Sequence, residues 1–250
     1  MANLLDETTG PVNNDGRNVH VIDLQLPVTT GWGSVLFEIA LWAAIPLLTL
    51  LFLLVAGNSV ENTLMVGLIG CIGGMLPGLI FVFMKISAHN YFQQLEQRIQ
   101  AEASNIDNYL EQRVQILQNV AGIMERAIEL DKDVMKTVAA YRGRGNLNEL
   151  NRSEANAQIN NAFGLIFPQV EAYPELKAHH AIADAMKQNS YLQREITAAR
   201  TVYNSRVTQW NTDIFSWPTK MIVAAKQGYT TRIPFTASQE TREAARQKFF

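Results

Sequence analysis

The side chains of this 250-residue chain that could do chemistry are four histidines, a single cysteine and scattered carboxylates. His179 and His180 are adjacent and point about 100° apart on a helix, so they cannot hold one ion as an i, i+4 pair does. The other two histidines are His20 and His89. There is no HExxH, and no Ser-His-Asp order with a nucleophile elbow. Asp131 and Asp133 flank Lys132, which reads as a solvated helix face rather than an acid and base pair. Gly143 and Gly145 follow no strand and precede no GK[ST], so they read as a plain loop and not as a phosphate cradle. Cys71 has no partner for a disulfide and lies in an apolar run, where a thiol is weakly reactive. The chemistry therefore implies a non-enzymatic protein with no cofactor and no metal.

The formal net charge of −2 argues against a nucleic-acid partner, because such surfaces are clearly basic. The average hides an asymmetry. Residues 1–62 hold one basic residue, Arg17, against six acidic ones, whereas the remainder holds twenty basic against seventeen acidic.

Two apolar stretches set the class. IALWAAIPLLTLLFLLVA (39–56) has eighteen residues without a charge, the minimum for a membrane span. Its eleven Leu, Ile, Phe and Val residues contribute roughly −5 kcal/mol on the insertion scale, enough to outweigh Pro46 and Thr49. LMVGLIGCIGGMLPGLIFVFM (64–84) has twenty-one uncharged residues, among them five glycines and Pro77. The GNSVEN sequence between them forces a hairpin, and the polar residues before position 35 do not resemble a cleaved signal. Trp32 and Trp42 suit an interfacial belt, and Glu38 the headgroup level. Arg17, Lys85 and Arg98 flank the hairpin on one side while its turn has no basic residue, so both termini are expected in the cytoplasm.

These elements predict an all-α protein: an elongated antiparallel helical bundle preceded by two transmembrane helices. The expected organisation is a polar segment (1–34), a transmembrane hairpin (35–86), a bundle (87–236) and a C-terminal tail (237–250). Along 87–142, Tyr91, Leu95, Ile99, Ile106, Leu110, Val114, Leu117, Val120 and Met124 recur mostly in steps of three and four, the helical period. Ser153 suits an N-cap after the glycine break, Pro168 a kink, and Pro174 a first helical turn. A stripe from Leu192 through Tyr203, Trp210 and Ile214 to Trp217 predicts a last helix closed by Pro218.

Two polar features stand out against these stripes. Asn204 and Asn211 are seven residues apart and share a face beside Tyr203 and Trp210. Either they bond across the bundle, with Asn119 as a possible partner, or they face water. Gly70, Gly74 and Gly78 recur every four residues. They form either a close-packing face, to the first span or to another copy, or a tolerance for the bend at Pro77.

EAYPELKA (171–178), ARTVYNSRVTQWNTDIFSWPTKMIVAAKQGY (199–229) and RVQILQNVAGIMERA (113–127) together resemble the LemA family of bacterial membrane-anchored helical proteins. The likeness spans about residues 64–236. Gln118 stands where the family usually has proline, and residues 1–62, with the additional span, fall outside the resemblance. The resemblance implies one membrane helix, matching 64–84, with the N-terminus outside and the bundle inside; the additional span returns the N-terminus to the cytoplasm, in agreement with the charge count, so the expectation is a multi-pass protein of the cell (inner) membrane with its bundle and N-terminus cytoplasmic. Its partners are then the lipid bilayer, other copies of the chain in a homo-oligomer, and membrane proteins. The function expected is a self-associating scaffold; the alternative is a small channel or transport component built from the hairpin.

Overall fold

The computed structural model describes residues 25–56, 65, 67, 68, 70, 72–127, 151–173 and 180–235. His20, the GNSVEN turn, Cys71, residues 128–150, Pro174, His179 and the 237–250 tail lie outside them. The named elements are all helices: α1 (Trp32–Ala56), α2 (Leu76–Ala127), α3 (Asn151–Ala172), α4 (His180–Asp213) and α5 (Thr219–Gln227). The fold is all-α. The nearest thing to a strand among the described residues is an antiparallel bridge between Pro27 and Thr230. The chain divides into two compact units. A hairpin unit holds Gln25–Gln97 with Gln209–Arg232, and a bundle unit holds Arg98–Thr208 with the chain from Ile233.

In the hairpin unit, α1 and the second apolar stretch pack antiparallel, with Thr49 against Gly70, Pro46 and Ile45 against Gly74, and Trp42 against Gly78. The described residues between Met65 and Gly74 are helical, a turn falls at Met75, and α2 starts at Leu76. That interruption follows from Pro77, which has no N–H to give the preceding turn. The Leu79 N–H resumes the ladder by donating to the Met75 carbonyl at 3.1 Å.

The bundle unit is built on α2, where Ile99, Ala103, Ile106, Leu110, Arg113, Leu117, Val120 and Met124 are all buried. Their spacing alternates four and three, the repeat that keeps one seam facing its neighbours over many turns. From α3 come Ala155, Ile159, Ala162, Phe163, Ile166 and Val170, and from α4 Ile182, Leu192, Ile196, Tyr203 and Val207. Full burial stabilises each large side chain here by about 1.5–3 kcal/mol; a Leu110→Ala change would cost about 2–5 kcal/mol through the cavity it leaves.

Two boundaries differ from the sequence reading. α3 begins at Asn151, so Ser153 sits inside it. Arg152 pairs with Asp107, which at 1.5 Å per residue is about 30 Å back along α2 from Ala127. α3 therefore starts beside the middle of α2, not beyond its far end. α4 ends at Asp213 rather than Trp217. There the N–H groups of Ile214, Phe215 and Ser216 donate to Trp210, Thr212 and Asp213, tightening the chain into turns before the cis Trp217–Pro218 bond. Proline disfavours helical geometry at the residue before it, so an apolar side chain at 217 continues the stripe in sequence while the helix has already closed in turns.

Candidate functional site

The asparagines at 204 and 211 each clasp a backbone. In the hairpin unit the Asn211 amide donates to the Arg232 carbonyl at 2.9 Å and accepts from the Arg232 N–H at 2.8 Å. In the bundle unit Asn204 does the same with Phe235, at 2.9 and 2.7 Å. A primary amide presents a donor and an acceptor side by side, matching the N–H and C=O of one extended residue. Seven helical residues advance about 10.5 Å and three extended residues span about 10 Å, so the i, i+7 spacing suits clasped residues three apart. Neighbours reinforce each clasp. Trp210 Nε1 donates to the Thr230 carbonyl at 2.9 Å, the Tyr203 hydroxyl to the Ile233 carbonyl at 3.3 Å, and Arg200 Nε to the Phe235 carbonyl at 2.9 Å. Burial lowers the Arg200 pKa. On the other edge of this strap Thr231 N–H donates to the Leu26 carbonyl, and Leu26 N–H to the Thr231 hydroxyl. Asn119 takes no part in either clasp: it is exposed on α2 and lines an open groove of about 640 Å³ with Gln118, Ile123, Asp184 and Gln188.

Arg113 is a site that the apolar pattern alone does not suggest. Its side chain is 1 % exposed, and its guanidinium is held by three amide oxygens: Nε to Asn189 at 2.9 Å, Nη1 to Asn156 at 3.1 Å and Nη2 to Asn160 at 2.9 Å. The Phe163 ring lies 5.4 Å from it. No carboxylate is among these partners, and burial pushes the Arg113 pKa down to about 10. It remains protonated at neutral pH as a buried cation solvated by neutral dipoles, a demanding arrangement that fixes the positions of α2, α3 and α4. The signal available in the sequence was register: Arg113 falls in the slot between Leu110 and Leu117 that the four-three repeat assigns to the core.

The hairpin unit carries two further polar clusters. Asp213 accepts from Lys220 at 2.7 Å and from the Tyr91 hydroxyl, and Tyr91 accepts from Gln209 at 2.7 Å. Arg232 bonds Glu96 and lies over the Trp210 ring. Burial and then Glu96 raise the Tyr229 pKa, partly offset by Arg232. These groups bond one another rather than converging on an open cleft, and among the described residues no three His, Cys, Asp or Glu side chains gather as metal ligands.

The other prominent feature is apolar exposure. α1 and the stretch leading into α2 are long and apolar enough to cross a membrane. Leu47, Leu48 and Leu51 on α1 are each about 60 % exposed, as are Leu68, Ile72 and Ile80 opposite. The Gly70, Gly74 and Gly78 face is closed to this exterior, because a Cβ built at Gly74 would lie 2.7 Å from Pro46 and one at Gly70 2.7 Å from Thr49. Small residues let the two backbones approach to that distance. At one end of the apolar band Glu38 and Lys85 form an ion pair at 2.9 Å.

The model of the LemA family matches residues 102–249, more than half of the chain. No curated protein matches it.

Proposed function

Because the chain belongs to the LemA family, we propose that it is a non-enzymatic, multi-pass protein of the bacterial inner membrane. Its hairpin anchors the helical bundle on the cytoplasmic side, where the protein self-associates and acts as a scaffold for membrane proteins. The observation that carries the reading is the exposed apolar band of the hairpin, closed at one end by Glu38 and Lys85. Left in water such area is unfavourable by about 25 cal/mol per Å², and hydrocarbon removes that cost. From Glu38 to Ala56 the helix rises about 27 Å, close to the roughly 30 Å of a bilayer core. Among the described residues the spans show no polar file that would favour the channel alternative. The Thr49 hydroxyl donates to the Pro46 carbonyl of its own helix at 2.8 Å, while its methyl meets Gly70.

The test is cysteine labelling in intact cells. With Cys71→Ser as background, a cysteine at Ser59 reacts with an impermeant thiol reagent and one at Ser153 does not. Labelling at Ser153 refutes the orientation, and release of the protein by alkaline carbonate refutes the anchoring. Self-association is read separately as particle mass in mild detergent, where a monomer removes the scaffold reading.

A further inference from the structure

Between α4 and α5 the chain makes a short aromatic turn, Phe215-Ser216-Trp217, whose neighbours Ile214 and Thr219 are buried. Phe215 is 39 % and Trp217 58 % exposed. In α4 itself Tyr203 and Trp210 are buried while Tyr191 is as exposed as Trp217, so what sets the turn apart is not its exposure but where it sits.

Its position is fixed within the hairpin unit. The Trp217 ring is 5.1 Å from that of Phe37, which in turn stacks edge-on against Phe81 at 5.6 Å. Phe37 precedes Glu38, and Phe81 lies one helical turn before Lys85. Glu38 and Lys85 are the charged residues that bound the apolar stretches 39–56 and 64–84 on this side, and they pair with each other. The turn is therefore level with the edge of the apolar band and continuous with it through the Phe37 ring. Trp32, 83 % exposed, begins α1 on the same side.

We propose that the Phe215–Trp217 turn is a further membrane contact, seated at the boundary between headgroups and acyl chains of a phospholipid bilayer. An indole has an apolar body and an N–H donor, the combination that concentrates tryptophan at this depth, where ester carbonyls accept the bond and the ring displaces water. The last turn of α4 is thus held to the bilayer by its own aromatic tip as well as through the hairpin. The proposal rests on the hairpin crossing the membrane.

The experiment is site-directed spin labelling of the purified full-length chain in phosphatidylcholine–phosphatidylglycerol vesicles, on a Cys71→Ser background. Single cysteines replace Phe215, Trp217, Leu51 within the apolar band, and Thr197 on the exposed face of α4. Collision with a water-soluble nickel chelate falls severalfold at 215 and 217 relative to 197, while oxygen collision rises, placing both labels shallower than the label at 51. If 215 and 217 are as open to nickel as 197 while 51 is protected, the turn faces water or a protein partner and the proposal fails with the anchor intact. If 51 is also open to nickel, the anchor and the proposal fail together. A Trp217→Phe variant labelled at 215 tests the same depth should Trp217→Cys not fold, with the same outcomes decisive.

Discussion

Replacing Asn189 with aspartate should make the bundle more stable, although it places a second charge in the core. Asn189 is 2 % exposed and its Oδ1 accepts from Arg113 Nε at 2.9 Å. Aspartate keeps that geometry and supplies the carboxylate that the guanidinium lacks. A guanidinium that burial pushes down to about 10 carries about 3 kcal/mol of unfavourable desolvation, at about 1.4 kcal/mol per pH unit. The arginine is a base with its pKa lowered on folding, so this destabilisation is full at every pH below the folded value of about 10 and is relieved only above it. An aspartate beside the cation relieves part of it at neutral pH. Desolvating the carboxylate takes some of the gain back, leaving about 1–2 kcal/mol, or about 2–8 °C in Tm. The pH signature identifies the cause. A carboxylate paired to a cation has its pKa depressed on folding, so the gain is present above the unfolded aspartate value of about 3.9 and disappears as pH falls through the folded value. Asn189→Leu, which strands the Nε donor, should lose about 2–3 kcal/mol. Thermal melts of the full chain in detergent at pH 7 and pH 3 read all three proteins. Asn189→Asp less stable than the natural chain at pH 7, or a gain unaltered at pH 3, would refute the idea of an uncompensated cation.

Other perturbations follow from the same geometry. Asn211→Leu strands the Arg232 N–H and C=O, and Asn204→Leu strands the Phe235 N–H while Arg200 keeps the Phe235 carbonyl, so each should cost about 1–3 kcal/mol; Asn119→Leu, on an exposed face, stays within about 0.5 kcal/mol, and equal effects at all three in denaturant melts would sink the clasp. Gly74→Ile drives a side chain into Pro46 and Ile45. It should lower the melting temperature while leaving the particle mass in detergent unchanged, since the contact lies within one chain, and a fall in mass would refute that assignment. Lys85→Ala leaves Glu38 without its partner; at an exposure of about a third the loss should stay near 1 kcal/mol, and a loss of several would mean that the pair lies deeper than the headgroup level.

How legible each element was depended on whether it repeats. The period of three and four residues marked α2 from Leu95 to Met124, and uncharged length marked the two apolar stretches, because in both cases many positions carry one message. Arg113 was harder to see because register had to be read against residue type: Val114, one place on, is apolar and half-buried, and draws the eye from the slot that the repeat assigns to 113. The Asn204 and Asn211 spacing announced a shared face, but the partner is an extended segment without periodicity, so nothing in residues 229–235 declares it. The early end of α4 was hidden for a related reason: the apolar stripe runs on to Trp217, past the turns that close the helix after Asp213.

Because the two amides grip main chain and not side chain, they leave the identity of the strap largely unread, while its pattern of imino acids is strictly read. Positions 231, 232 and 235 must each offer an N–H, to Leu26, Asn211 and Asn204 respectively. Proline is admissible between those donors, and Pro234 occupies such a gap. Sequence drift along this segment can therefore be wide at Arg232, whose side chain leans on Glu96 but whose clasp does not need it, and narrow at Ile233 and Phe235, which fill the core. Moving the proline by one place to 235 would remove a required donor without changing composition, and the chain would lose a clasp through a change that a comparison of hydrophobicity or charge would not register.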